Sequence, residues 1–496
     1  MQLSSEPDAN NETKGSRCQN GTRPLFSLFC LPDASDTKAC RPGKQALRAF
    51  SVFCQREDVR VRHLTKASDW KRGNHMKRND RVLAAALAGA MSISLLAGCS
   101  SSAQQGGASS ATSDASAAEE SSSTTAESTA AAGEEDNVVR IGVIGPMTGG
   151  NAIYGEGAQN AIEMAVEEIN ASGGPYTVEI VNGGEIADDA QDARQAMNAY
   201  NLVMADDPEA LVGSFFSSVT LPIAEQAAVD NMLLVATGAT NVDVTIDRPT
   251  VFRDCFIDPY QGRMAALFVQ SEGYSQVAVL YANDDDYSNG LKDAFIENCE
   301  ALGIEVVYEG QCTTTDTDFS SQVSQVVASG AEFLYYPCFQ DTVPLLVSQA
   351  RSAGFTGAIM GGDGWDSSDT TGLESQFENC YFTNHYSSED TSDAVQNFVT
   401  KYTETYGTES LNACASLYYD AIYMIYQAAQ EGGGTDTASL VEGMTGMTFT
   451  GVGGTFTLDE NGDPEKQIVF NTFVDGQVQW FETLGADGEI VASSES

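Results

Sequence analysis

Positive charge is scarce in this chain: 25 Lys and Arg stand against 70 Asp and Glu in 496 residues, a formal net charge of −45. Of those 25 bases, 16 precede Cys99, leaving 9 bases against 61 acids after it, a net of −52. So acidic a surface repels phosphate backbones and anionic headgroups, which excludes nucleic acid as a partner. Histidine is scarcer still. Of three, only His385 follows Cys99, so His-based acid–base catalysis and multi-His metal sites have little to be built from. There is no CxxC pair to make a zinc knuckle or a thioredoxin-type redox centre. HExxH, GxSxG, Walker A and a dinucleotide fingerprint in its proper setting are missing too. Asp284, Asp285 and Asp286 lie together but lack EF-hand spacing, so they read as a solvated turn. No catalytic residue, cofactor or metal is expected. After Val138 no apolar run is long enough to span a membrane, which requires about 20 residues.

What is present begins with an address. Lys77, Arg78 and Arg81 precede VLAAALAGAMSISLLAG, an apolar stretch of about 17 residues, short for a membrane span and suited to a signal peptide. It ends in Leu96-Ala97-Gly98-Cys99, which resembles a bacterial lipobox. Small residues there admit a signal peptidase, and the Cys99 thiol accepts diacylglycerol, whose two acyl chains anchor stably at roughly 0.8 kcal/mol per buried CH₂. The expected divisions are a signal peptide at 76–98 and an upstream segment at 1–75. That segment is basic, carries four scattered cysteines and shows no periodicity. Lys71-Arg72-Gly73-Asn74-His75 can be encoded by a purine-rich run resembling a ribosome-binding site, so Met76 is the expected start. From the lipidated Cys99 to 137 the chain is Ser, Ala, Thr, Gly and Glu without an aromatic residue, a composition that buries too little apolar surface to fold and suits a tether.

From Val138 the pattern alternates between strand and helix. Strands are expected at 138–147, 176–181, 210–215, 232–237 and 250–255, with helices at 157–170, 187–204 and near 220–230. A second series follows: strands at 276–282, 304–310, 332–338 and 358–362, and helices at 288–302, 318–328 and 342–353. Helices at 389–406 and 411–430 and hairpin strands complete the chain. This is an α/β pattern of two similar Rossmann-like lobes, each a parallel sheet covered by helices. Six cysteines fall within it: Cys255, Cys299, Cys312, Cys338, Cys380 and Cys414. Cys299–Cys312 and Cys338–Cys380 are conceivable pairs, though free thiols are favoured.

The segments IGVIGPMTGGNAIYG, AVEEINASGG, GSFFSSVTLPIAE, VFRDCFIDPYQG, YANDDDYSNGL, QARSAGF, GGDGWDS and SLYYDAIY occur in this order between Ile141 and Tyr423. In sequence and spacing they resemble the leucine/isoleucine/valine-binding branch of type 1 periplasmic binding proteins, and the likeness covers nearly all of 138–496. The resemblance implies two lobes joined by three hinge crossings, near Ile257-Asp258, Asn384-His385 and 451–454. Lobe one would be 138–257 plus 386–452, and lobe two 258–385 plus 453–496. It also implies an extracytoplasmic, monomeric solute carrier for an ABC importer, working with a permease and an ATPase. A sensory receptor on the same fold is the alternative, and an enzyme the more distant one.

For the solute, strand C-termini and helix N-termini point to the crevice between lobes. Ser217 and Ser218 precede a helix expected to open at Thr220-Leu221-Pro222, where hydroxyls and free N–H groups suit a carboxylate or simple helix capping. The resemblance implies that Ser217, Gly238 and Thr240 hold the solute's carboxylate, that Tyr287 closes on its backbone and that Asp363 receives its ammonium. Tyr154 is placed to line the mouth. The chain departs from the family pattern at Phe339, where a tyrosine is often seen, at Phe216, where some members have cysteine, and in the NGGE turn after 181. The departures leave an amino-acid clamp, branched-chain by default.

Overall fold

The computed structural model describes residues 137–494; the upstream segment, the signal peptide and nearly all of the tether with Cys99 lie outside the described residues. The first sheet contains β1 (Val138–Gly145), β2 (Thr177–Ile180), β3 (Ala187–Asp188), β4 (Ala210–Val212), β5 (Leu233–Ala236) and β6 (Val251–Arg253). All its pairings are parallel, in the order β2-β1-β4-β5-β6 with β3 beside the end of β1. Its connections run through α1 (Ala152–Ala171), α2 (Ala193–Met204) and α3 (Ser217–Asp230). α4 (Asp258–Ser271) then leads to the second sheet.

The second sheet begins with β7 (Gln276–Ala282), β8 (Glu305–Cys312), β9 (Phe333–Tyr335), β10 (Ala358–Gly361) and β11 (Cys380–Asn384). They alternate with α5 (Asp286–Leu302), α6 (Ser320–Ser329) and α7 (Val343–Ser352). The chain then returns to the first lobe as α8 (Asp393–Tyr406), α9 (Ala413–Gly432) and α10 (Thr437–Met444), with α9 packed along α1. β12 (Thr448–Gly451), β13 (Gly454–Leu458) and β14 (Pro464–Glu465) form a small antiparallel sheet of their own. β15 (Ile468–Val474), β16 (Gln477–Leu484) and β17 (Ile490–Ser493) extend the second sheet as antiparallel hairpins beside β11. The second sheet therefore resumes at Ile468.

Local chemistry sets the element ends. The helix expected over 187–204 starts only at Ala193, because Asp192 accepts from Arg194 N and Gln195 N as an N-cap while 187–188 pair with β1. The helix after β4 opens at Ser217, three residues early, so Pro222 stands inside it and Ser217 and Ser218 occupy its first turn. The strand expected over 332–338 ends at Tyr335, although Tyr336 N still donates to Met360 O of β10 at 2.7 Å. All six cysteines of the described residues are free and buried; neither conceivable pair forms, and the Cys338 thiol lies 3.6 Å from Ser288 Oγ instead. Among the described residues no helix is long and apolar enough to cross a membrane.

Candidate functional site

Each parallel sheet reverses its strand order once, between β1 and β4 in the first and between β7 and β9 in the second. Open α/β sheets receive ligands in the crevice beyond such a reversal. The loops and helix starts leaving those four strands carry Tyr154, Ser217, Tyr287 and Phe339; the segments after β5 and β10 add Gly238, Thr240 and Asp363. All are buried, so the lobes are closed on one another.

On the first lobe, Ser217 Oγ accepts from Asn241 N at 3.2 Å and so joins the start of α3 to the loop after β5. Gly238 has φ +79°, and a Cβ there would sit 2.5 Å from the Phe215 ring, so only glycine fits this turn. The first-turn N–H groups of α3 and the hydroxyls of Ser217 and Thr240 make a neutral, donor-rich wall. Arg253, fully buried, braces that wall from behind. Its guanidinium donates to Ala239 O at 2.7 Å, Asn241 O at 3.0 Å and Thr245 Oγ1 at 2.8 Å, and meets Asp463 at 2.6 Å.

The second lobe presents the opposite polarity. Asp363 accepts from Tyr287 Oη at 2.9 Å and Gln261 Nε2 at 2.7 Å on one oxygen, and His385 Nε2 lies 3.3 Å from the other. Burial holds the His385 imidazole below its usual value, which keeps it neutral, and its ring stacks on Phe256 at 4.0 Å. Tyr287 Oη also accepts from Gly364 N at 3.1 Å, and burial together with Asp363 holds its phenol well above the ordinary range. Asp258 is buried beside Thr240, its two oxygens outside regular hydrogen-bond geometry, and desolvation pushes its carboxyl up to about 8. Asp366 is occupied otherwise, accepting from Ala413 N at 2.6 Å at the start of α9 and from Asn384 Nδ2 at 3.2 Å.

Asp363 thus faces a cleft in which, among the described residues, Arg253 is committed to Asp463, to Thr245 Oγ1 and to backbone oxygens. Asp285 accepts from Ser218 Oγ and Ser288 N, and burial favours the protonated form of Asp258. Among the described residues no three His, Cys, Asp or Glu side chains gather to hold a metal.

Tyr154 departs from its expected place at the mouth. It is fully buried, and its hydroxyl donates to Gly364 O at 3.0 Å and Asp366 O at 2.8 Å, a bridge from lobe one to lobe two. Sequence reasoning missed Gln261, His385 and Asp258 as neighbours of the site. Two of them lie on α4, whose helical register had not been read; the Asp-Pro pair at its first turn was the available signal.

Fold and cleft together define a two-lobed solute clamp. A family model described as periplasmic binding protein matches residues 138–477, and the chain belongs to that family. An amino acid binding protein of Pseudomonas aeruginosa is 36% identical over 233 residues, 46% of this chain and 60% of that protein, so the chain spans less than two thirds of that relative's length. A leucine-binding protein LivK of Thermotoga maritima superposes with a TM-score of 0.66 at 32% identity, covering 71% of this chain and 100% of that one. A Rhodopseudomonas palustris solute-binding protein of an ABC transporter, in complex with 4-hydroxybenzoate, shares the fold with a TM-score of 0.64 at 19% identity, over 70% and 97% of the two chains.

Proposed function

We infer that the protein is the extracytoplasmic solute-binding component of an ABC importer, that it carries an α-amino acid between its lobes, and that it is not an enzyme. The observation that carries this reading is the polarity of the closed cleft. A donor-rich wall at Ser217, Gly238 and Thr240 suits a carboxylate, while Asp363, set among Gln261, Tyr287 and His385, suits an ammonium. A solute with one charge, such as a benzoate, leaves the acidic side unsatisfied. The leucine-binding relative makes a branched-chain amino acid the starting expectation for the side chain.

Transport adds a permease and an ATPase as partners. Cys99 carries the lipid anchor in this reading, and the segment from Ser100 to 137 is the tether. Detergent partitioning that is the same for wild type and Cys99→Ala rules the anchor out. Calorimetry with a panel of L-amino acids and with benzoate tests the main reading: heat from an α-amino acid is expected, and heat from benzoate alone sinks it.

A further inference from the structure

An unbroken row of aromatic rings crosses the closed cleft. On lobe one, Tyr154 packs on Phe215 with centroids 4.7 Å apart, and Phe215 meets Phe216 edge-on at 5.5 Å and 83°. Phe216 then meets Phe339 of lobe two edge-on at 4.7 Å and 79°, and Phe339 stacks on Tyr287 at 4.8 Å and 26°. None of the five is more than 6% exposed. The edge-to-face pair lies at the short end of aromatic contact distances, so no side chain fits between Phe216 and Phe339 while the lobes are closed.

Their neighbours give the row its meaning. Phe216 immediately precedes Ser217 on the donor wall, and Phe339 covers the face of Tyr287, whose hydroxyl holds Asp363. The rings therefore stand beside both poles of the proposed site, where the substituent of a solute held by its carboxylate and ammonium must project. Escape past the next residue is closed as well, because Gln340 Nε2 donates to Gly150 O and Asn151 Oδ1 at 3.0 Å across the cleft. Two of the three places where the chain departs from its family's pattern, Phe216 and Phe339, are thus in contact with each other.

We propose that Phe216 and Phe339 limit the solute to a compact α-amino acid, with a side chain of the size found in glycine, alanine or serine, and exclude the branched-chain amino acids. The proposal rests on the amino-acid reading above and departs from its branched-chain expectation. A leucine side chain must displace the rings or hold the lobes apart, and both weaken the closed complex.

Calorimetry on the purified protein with glycine, L-alanine, L-serine, L-valine, L-isoleucine and L-leucine tests it. The best of the small three is expected to bind about tenfold or more tighter than any branched one, the discrimination that a methylene or two without room produces. Phe339→Ala and, separately, Phe216→Ala are expected to narrow or reverse that ratio by raising the affinity for leucine. Equal affinity of the wild type for leucine and alanine overturns the size limit and leaves the amino-acid reading standing. No heat from any α-amino acid overturns both. A ratio unchanged in either folded variant removes that ring from the selection, and the wild-type ratio decides the size limit even where a variant fails to fold.

Discussion

At the scale of single residues, the cleft is governed by where its carboxylates are solvated and by what. Asp363 keeps three hydrogen-bonding neighbours, Gln261, Tyr287 and His385, so its charge is held ready for an ammonium. Replacing it by Asn or Ala is expected to cost about 2–5 kcal/mol in binding an α-amino acid, because the ammonium keeps its desolvation cost and loses its counter-charge. Asn should be nearly as damaging as Ala; calorimetry showing full affinity in either variant removes Asp363 from the site. Asp258 makes a different prediction. Its carboxyl is pushed from 3.8 up to about 8 by burial, so the native state retains a proton that the unfolded chain releases near pH 4. Unfolding then releases that proton, and stability falls as pH rises toward the folded value. Asp189, Asp285 and Asp420, pushed to about 6, have mostly titrated lower down, and the depressed His385 acts in the opposite sense below its ordinary value of 6.5. Buried Glu482, at about 7, adds to the same slope as Asp258, so the informative quantity is wild type minus Asp258→Asn. From pH 7 to pH 8 that difference should fall by about 1 kcal/mol, because the folded carboxyl itself begins to titrate there, read from melting temperatures. Parallel curves for the two proteins refute it.

At the scale of elements, the joints between the lobes depend on a buried ionic group. Lys466, which follows β14, donates to Asp254 O at 3.1 Å next to β6, and its ammonium lies 5.1 Å from the centroid of the Phe456 ring. Asp420 of α9 accepts from Val452 N at 2.9 Å and Gly453 N at 2.8 Å, closing the turn between β12 and β13. Burial depresses the Lys466 ammonium and raises the Asp254 carboxyl, and the opposite charge of each partly counters the shift of the other. Lys466→Met should therefore destabilise the protein by about 3–5 kcal/mol, the usual outcome of leaving one member of a buried pair alone. Lys466→Met with Asp254→Asn should recover much of the loss in thermal unfolding, and a double variant no better than the single one contradicts the pairing. These joints also mark where sequence reasoning stopped. Alternation of apolar strands and amphipathic helices identified β1, β2 and β4 to β10 and most of their helices, since each buries a regular face; the two-residue β3 fell inside the helix expected over 187–204. Helix α4 was missed because Gly262 interrupts its propensity. The structure uses that glycine for close approach, as a Cβ there would lie 2.6 Å from Ala294 Cβ on α5. β11 and the eight-residue α10 went unread too, being too short for a period to emerge. The site residues that were legible follow strand ends with distinctive flanks, such as Asp363 between glycines. Those that were not, Gln261 and His385, are recognisable only once a helix and a hinge strand are placed beside Asp363.

At the scale of the whole molecule, both switch points face one cleft, so closing the lobes assembles the site and opening them takes it apart. Contacts across the cleft come from both sides: Tyr154 to Gly364 O and Asp366 O, Ser218 Oγ to Asp285 Oδ1 at 3.0 Å, and Asn241 Nδ2 to Asp286 O at 3.2 Å. A solute shifts such an equilibrium only by its greater affinity for the closed form, and these bonds set how much of that affinity is spent on closing. Tyr154→Phe deletes the hydroxyl and leaves two buried carbonyls without that donor, which should disfavour closure by about 1–2 kcal/mol and weaken solute binding by roughly tenfold. The hydroxyl donates to backbone oxygens only, so the loss should be similar for every amino acid that binds. Replacement of Asp363, by contrast, should spare a solute that has no amine. Small-angle scattering separates the two effects. Wild type should contract on adding solute, and Tyr154→Phe should reach the same compact form only at a higher solute concentration. A wild-type profile unmoved by saturating solute contradicts closure itself, and a variant that contracts at the same concentration as wild type contradicts the role of Tyr154 as its latch.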